Sequence, residues 1–425
     1  MIVILLGFYG FAFLLAANRP NSFVLFYLLA STKFLGFIDP ASFIVGGIEV
    51  GYFGLNLVAL FCIFFKKDWV VLPKNSIVII LLILVLIFYG ILRPILNDYS
   101  SVKQAVIASK DAWYYVIFIY LFVYYDNIDI NQLMKFVKWV SIYFTINYCL
   151  FFVVPAIIPP AYSHISHVRT FFPTYISLAI FLYLIELKMG TEKPLKTYAL
   201  ISFLFLGLIF ATHSALTIMT LFGTVLYLFV YNEDLKIKRD ILIKFTAIGI
   251  FAIALALLYV NGLYQGIIDK ANSILYSEDL ALQTRDLYNK FRWDAINDEP
   301  IFGYGYIHQS SKLMAQFKLV AGDSAFMERF TVVDSGYVDL LIKYGYLGTG
   351  IMLFTLCRYF MFGFFKKYKN HMTLAMSLYL VQYLFINYTW SVYTFSHGII
   401  PGAIAFYIII MYQDYKIEDY NTVQE

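Results

Sequence analysis

The feature that most restricts the fold is a recurring one: apolar runs of roughly 16 to 24 residues, each bounded by Lys, Arg, Asn or Pro, match the ~20 residues with which a helix crosses a ~30 Å hydrocarbon layer. Membrane-spanning strands would be shorter and would alternate in character. With 61% hydrophobic and only 14% charged residues over 425 positions, a soluble core has no room for so much apolar surface. The sequence therefore predicts an all-α polytopic membrane protein. Candidate spans are 2–17, 22–38, 46–65, 76–92, 112–125, 135–158, 173–189, 197–212, 214–231, 242–260, 337–363, 373–390 and 396–412, about thirteen crossings in a range of about 12 to 14. The first run, Met1–Ala17, has no basic leader and is read as a span, not a cleaved signal peptide.

Loop charge orients these helices. Short Lys-rich connections alternate along the chain at Lys66, Lys67 and Lys74, at Lys135 and Lys138, at Lys188, Lys193 and Lys196, at Lys236, Lys238 and Arg239, and at Lys366, Lys367 and Lys369. The positive-inside bias places them in the cytoplasm. Connections near 39–45, 213 and 391–395 carry no Lys or Arg, so the alternation holds and the tail 413–425 falls inside. The chain then divides into a first set of helices over 1–260, a long extracytoplasmic loop over 261–336 and a last set over 337–412. The loop's Trp, Phe, Tyr and Gly content argues against disorder. A net charge of +4 points to no nucleic-acid partner, and Cys62, Cys149 and Cys357, scattered through apolar runs, form neither a disulfide framework nor a metal motif.

Chemistry-bearing residues concentrate in the long loop. Ser277-Glu278-Asp279 reads as a helix start with a capping serine and first-turn acids, and Pro300 marks the end of that helix. On it Arg285, Tyr288 and Arg292 share one face, beside an apolar stripe of Leu280, Leu287, Phe291 and Ala295 suited to a membrane surface. The two guanidiniums stand about 10 Å apart along the axis, a spacing for clamping a diphosphate sugar, with pairing to Asp286 or Asp294 as the alternative. The turn Pro300-Ile-Phe-Gly-Tyr-Gly-Tyr306 has glycines that permit positive φ or a close approach, and aromatics, Tyr304 among them, that suit sugar stacking. His308 comes next as a candidate proton carrier.

Asp334 sits where the next helix should be capped. It is expected either to cap or to act as the base for an acceptor hydroxyl. Asp339 and Lys343, four apart, are expected to pair. Two outer connections, 93–111 with Arg93, Lys103 and Lys110 and 159–172 with Tyr162, His164, His167 and Arg169, break the charge bias, which leaves an anionic ligand or plain solvation as readings. Lys33 and Glu49 are expected to form an ion pair at adjacent helix ends, and Glu186 to snorkel. His164 and His167 lack a third ligand, so no metal site is expected.

Taken together, Arg292-Trp, Pro300-Ile-Phe-Gly-Tyr-Gly, Asp334-Ser-Gly-Tyr-Val-Asp-Leu-Leu and Gly345-Tyr-Leu-Gly, in that order, resemble the shared signature of O-antigen ligases and Wzy-type polymerases. Arg169-Thr-Phe-Phe-Pro-Thr-Tyr-Ile-Ser-Leu-Ala resembles the family's outer-loop Arg followed by aromatics, Pro and a new helix. The sequence departs from the ligase pattern at Asp334, where ligases usually carry His followed by Asn. It also lacks the Ser-Arg pair of many relatives, reading Ala211-Thr-His-Ser-Ala215 at the nearest place.

The resemblance implies inverting glycosyl transfer on the outer face of a bacterial inner membrane. The donor would be an undecaprenyl diphosphate-linked oligosaccharide, with no metal and no cofactor. Arg169, Arg285 and Arg292 would stabilise the departing diphosphate, and Asp334 or His308 would take the acceptor's proton. Partners are then the lipid-linked glycan and the bilayer, with room for a chain-length regulator. Polymerisation of repeat units is the first expectation, ligation of finished glycan to lipid A core or protein the second. A flippase or transporter is a third class, disfavoured because no internal repeat and no row of mid-membrane charges is visible.

Overall fold

The computed structural model describes residues 2–37, 44–45, 48–66, 72–73, 75–153, 172–191, 193–211, 213–231, 290–321, 335–365, 370–388, 390–393 and 395–412. Its helices are α1 (Ile2–Asn18), α2 (Pro20–Ser31), α3 (Val50–Phe64), α4 (Ser76–Leu96), α5 (Val102–Ala108), α6 (Val116–Val123), α7 (Ile130–Val153), α8 (Pro173–Met189), α9 (Pro194–Phe210), α10 (Ser214–Tyr231), α11 (290–298), α12 (Lys312–Ala321), α13 (Gly336–Phe360), α14 (His371–Ile386) and α15 (Ser396–Tyr412). A two-residue antiparallel ladder, Ile44–Val45 with Ile48–Glu49, is the β structure among the described residues.

α4 shows what solvent these helices are built for. Ile79, Ile80, Ile83, Ile87, Gly90 and Pro94 face protein, while Ile77, Leu81, Val85, Phe88, Leu92 and Leu96 are exposed. A helix apolar all round, with one face unpartnered, suits lipid and not water. Among the described residues Ser76–Leu96 and Gly336–Gly363 are long and apolar enough to cross a membrane, and seven shorter apolar helices accompany them. Val102–Ala108 and Ala112–Val123 meet the same criteria only as a pair bent by 60°. The span expected over 112–125 is thus one arm of a bent element, and the figure of about thirteen crossings rests on the sequence.

At the centre lie α8, α14 and α15, with nearly every residue from Pro173 to Ile185 and from Gly398 to Ile410 buried. Side-chain polar groups of α8, α10 and α14 form a closed ring: Ser177 Oγ lies 2.9 Å from Thr220 Oγ1, Thr220 donates to Gln382 Oε1 at 3.0 Å, and Gln382 Nε2 donates back to Ser177 at 3.0 Å. Such interhelical hydrogen bonds matter where apolar helices gain no hydrophobic driving force from touching one another.

Helix-end contacts fall into two sets. At the end expected inside, Lys66 Nζ donates to Val123 O at 2.7 Å, Lys138 pairs with Glu186, and Asn370 Nδ2 donates to Tyr412 O at 2.6 Å. Glu186, expected to snorkel, therefore has a lysine partner. At the other end Tyr115 donates to Tyr393 O at 2.6 Å, Thr174 donates to His397 O, and His213 stacks on Trp390. The lysines of the first set lie in or beside connections that the positive-inside bias assigns to the cytoplasm.

Candidate functional site

The segment after α11 is fastened to two membrane spans. α11 stops at Asp298, two residues before Pro300, as the proline requires. The next turn uses both of its glycines at positive φ, Gly303 at 64° and Gly305 at 78°. A methyl group on Gly303 would lie 2.5 Å from Gly345 N, and one on Gly305 2.6 Å from Gly90 O. The close approach anticipated for a ligand is thus made by the protein's own backbone.

That approach is a short run of backbone pairing. Tyr304 N donates to Ile342 O at 2.8 Å, Gly305 N to Lys343 O at 2.9 Å, Tyr306 N to Gly90 O at 2.7 Å and Tyr346 N to Pro300 O at 2.7 Å. It exists because α13 breaks at Gly345, whose φ of 60° and ψ of −171° free the carbonyls of the preceding turn.

Side chains reinforce the junction. Arg93 reaches from the end of α4 to Glu299 Oε2 at 3.0 Å and to Gly303 O at 3.2 Å, and Tyr99 donates to Glu299 Oε1 at 3.0 Å. Arg93, for which an anionic ligand was one reading, holds a carboxylate of its own chain. Lys312 pairs with Asp98 at 2.6 Å, and Gln104 Nε2 donates to Ser310 O at 2.6 Å. Polar groups of the 93–111 connection thereby seat residues 299–312. Asp339 and Lys343 pair at 2.7 Å as expected from their spacing, and the Lys343 ammonium lies 5.8 Å from the Tyr306 ring centre.

Under this turn sits a small outer core: Ala295 and Ile296 of α11, Tyr304, Leu313 and Met314 of α12, and Val338, Leu341 and Ile342 of α13. Arg292 lies on α11 with only 3% of its surface exposed. A surface arginine snorkelling to solvent would be far more open. Tyr304 is also 3% exposed, donates its hydroxyl to Ala295 O at 3.0 Å and packs on Tyr99 and Phe317. In this structure it ties the turn to α11, and burial first, then the nearby Asp298 and Glu299 carboxylates, raise the pKa of its phenol.

His308 is half-buried and accepts from Ser310 N at 3.2 Å through Nδ1. Burial, and secondarily the Lys110 ammonium, hold its pKa below the ordinary 6.5. The imidazole is neutral at pH 7, as a proton acceptor must be. Arg169, Arg285, Tyr288 and Asp334 lie outside the described residues, as do His164 and His167. Helix α13 starts at Gly336 with Ser335 as the residue before it, one place later than the cap expected at Asp334. Lys33 lies just past α2 at a φ of 56° in a left-handed turn, and the side chain of its expected partner Glu49 is outside the described set.

Beside the outer core, α4, α13, α14 and α15 enclose an apolar cavity. Ile83, Ile87, Met352, Leu356 and Phe406 line it, together with Tyr115, Tyr306, Tyr344, Tyr383 and Tyr393. The Tyr306 and Tyr344 hydroxyls meet at 2.5 Å. Sequence reading missed the Arg93–Glu299–Tyr99 node and the outer turn 387–397. The signal available for that turn was its lack of Lys and Arg; its wealth of aromatic, hydroxyl and amide side chains went unused.

No curated protein matches the chain. Residues 200–353 match the family model described as O-Antigen ligase. That stretch contains α11, the 300–306 turn, the outer core and the break at Gly345. This stretch, set among helices suited to a membrane, is therefore similar to the O-antigen ligase family.

Proposed function

We propose that the protein polymerises the repeat units of a surface polysaccharide, O-antigen or capsule, on the outer face of a bacterial inner membrane. The acceptor sugar's hydroxyl attacks the anomeric carbon of an undecaprenyl diphosphate-linked glycan. The bond from that carbon to the phosphate oxygen breaks, and the lipid diphosphate leaves with the electron pair. The proton passes to Asp334, or to His308 if Asp334 is too far from the hydroxyl. Arg292, with Arg285 and Arg169, holds the diphosphate as its charge develops, Tyr288 adds a contact to the substrate, and Tyr304 supports α11 from behind. An arginine keeps its charge in a partly dry site where a lysine can lose it.

One observation carries this reading: Arg292, a 3% exposed cation, lies on α11, whose Ala295 and Ile296 share an outer core with the first turns of α13, the helix that begins two residues after Asp334. A cation buried there shares an outer core with the helix that follows the candidate base in the chain. Asp334 in place of the ligase His-Asn favours polymerisation over ligation, and transfer needs no metal in this scheme.

The test places wild type, R292A and D334N in cells lacking their own polymerase and compares glycan ladders at matched protein levels. Wild type should restore a ladder. Each variant should collapse it toward a single repeat, with rates in membranes down about 100-fold or more. Since Asn caps a helix as well as Asp, D334N preserves any capping, and a normal ladder from it moves the base role to His308. Unlinked polymer accumulating in the absence of the protein would establish ligation instead, and lipid-linked units trapped on the inner leaflet would establish a flippase.

A further inference from the structure

The outer turn between α14 and α15 reads Asn387-Tyr-Thr-Trp-Ser-Val-Tyr-Thr-Phe-Ser-His397. It has no formal charge, and apart from Val392 each side chain is aromatic, hydroxylic, an amide or an imidazole. The fold presses it against the first turn of α13. Asn387 O accepts from Gly336 N at 2.8 Å, and Tyr337 donates to Leu384 O at 2.5 Å. The Asn387 amide touches Gly336 so closely that a methyl group there would lie 1.9 Å from Oδ1. Tyr393 lines the apolar cavity, within electrostatic range of Tyr337 and Tyr115.

Three side chains of this turn carry buried polar atoms with no hydrogen-bond partner among the described residues, His397 through its Nε2. Asn387 is 0% exposed with both Oδ1 and Nδ2 unmatched, and Tyr393 is 5% exposed with its hydroxyl unmatched. Each such atom costs folding free energy, and native proteins rarely keep one without a use. Here they lie beside the start of α13, just after Asp334 in the chain. Trp390 belongs to the same turn and stands in a column of parallel rings, 4.5 Å from His213 and 4.4 Å from His397.

We propose that the described residues of this turn, 387–388, 390–393 and 395–397, form the wall that recognises the acceptor sugar, with the Asn387 amide and the Tyr393 hydroxyl taking hydroxyl groups of a pyranose ring. A neutral amide and a phenol match hydroxyls in both donor and acceptor roles, which arginines cannot do. The site is then divided, with cations for the diphosphate on the long loop and uncharged hydrogen-bonding groups for the sugar on this turn. The turn also lies outside the matched residues 200–353. This inference rests on the glycan-transfer reading.

Because neither side chain is hydrogen-bonded within the described protein, N387L and Y393F separate binding from folding. The probe is the water-soluble oligosaccharide released by mild acid from the host's own lipid-linked precursor, titrated against purified full-length protein by intrinsic tryptophan fluorescence. Wild type should saturate. N387L and Y393F should each weaken binding about tenfold or more while keeping or raising the melting temperature.

Wild-type affinity in N387L and Y393F, or lost affinity accompanied by a lowered melting temperature in both, would overturn the proposal. So would a wild type that does not bind the probe. The ladder assay reads glycan transfer separately. A wild-type ladder with no probe binding removes the acceptor wall alone, whereas probe binding without a ladder removes the polymerase reading and leaves a sugar site.

Discussion

Residues 299–306 and residues 387–397 both pack on α13 at its outer end, yet they are finished differently. In the first, backbone amides from Gly303 to Tyr306 find carbonyls of the chain, and both oxygens of Glu299 are held, by Arg93 and by Tyr99. In the second, Asn387 and Tyr393 keep buried polar atoms unmatched among the described residues. A segment whose hydrogen bonds close on the protein itself is scaffold. One that leaves them open has given up stability, which the acceptor-wall proposal assigns to a ligand.

The comparison breaks hardest at Gly345. Its φ of 60° suits glycine, and a methyl group would lie 2.3 Å from Ile301 O, a backbone atom with no room to retreat. G345A should cost about 3 kcal/mol or more from left-handed strain and overpacking together. The yield of monodisperse protein and its melting temperature in detergent should both fall, in contrast to N387L. A G345A protein as stable as wild type would mean that the 299–306 turn is not scaffold.

A smaller effect tests the ion pair. Arg93 and Glu299 are 22% and 31% exposed, so solvent screens them. A double-mutant cycle on thermal stability with R93Q and E299Q should return a coupling of about 1 kcal/mol. Additive losses would mean that the two charges act apart and that backbone pairing alone seats the turn.

The smallest effect concerns His308, next to the scaffold turn. Its folded pKa lies below the unfolded 6.5, so the unfolded chain binds the extra proton first as pH falls. Its contribution is complete above the unfolded value and is lost as pH drops through 6.5 toward the folded value. Melting temperature against pH should therefore be flatter below neutrality in H308N than in wild type. Identical profiles would place the imidazole in open solvent.

Much of the fold was legible because its signals are local. Apolar runs, alternating lysines and the four-residue spacing of Asp339 and Lys343 each need only neighbouring residues to be read. Pro300 likewise marked the end of α11. The glycines at 303 and 305 were correctly singled out for positive φ, but the sequence could not say whether the close approach was to a ligand or to α4 and α13. The start of α13 was misplaced by one residue because both Asp334 and Ser335 are capping types and the pattern does not choose between them. Arg93 looked available because its partner stands 206 residues away.

By itself the sequence determined the apolar solvent these helices suit, and it set the expectation that they alternate and gather cationic and aromatic groups on one side. The tertiary structure alone decided which of those groups are scaffold and which are open: Arg93 on Glu299, Tyr306 on Gly90, Asn387 on Gly336. The physical reason lies in the medium. Water-fearing surface on every face of a helix says that it belongs in lipid, but lipid is as apolar as a neighbouring helix, so partner choice falls to small residues, broken turns and hydrogen bonds distant in sequence.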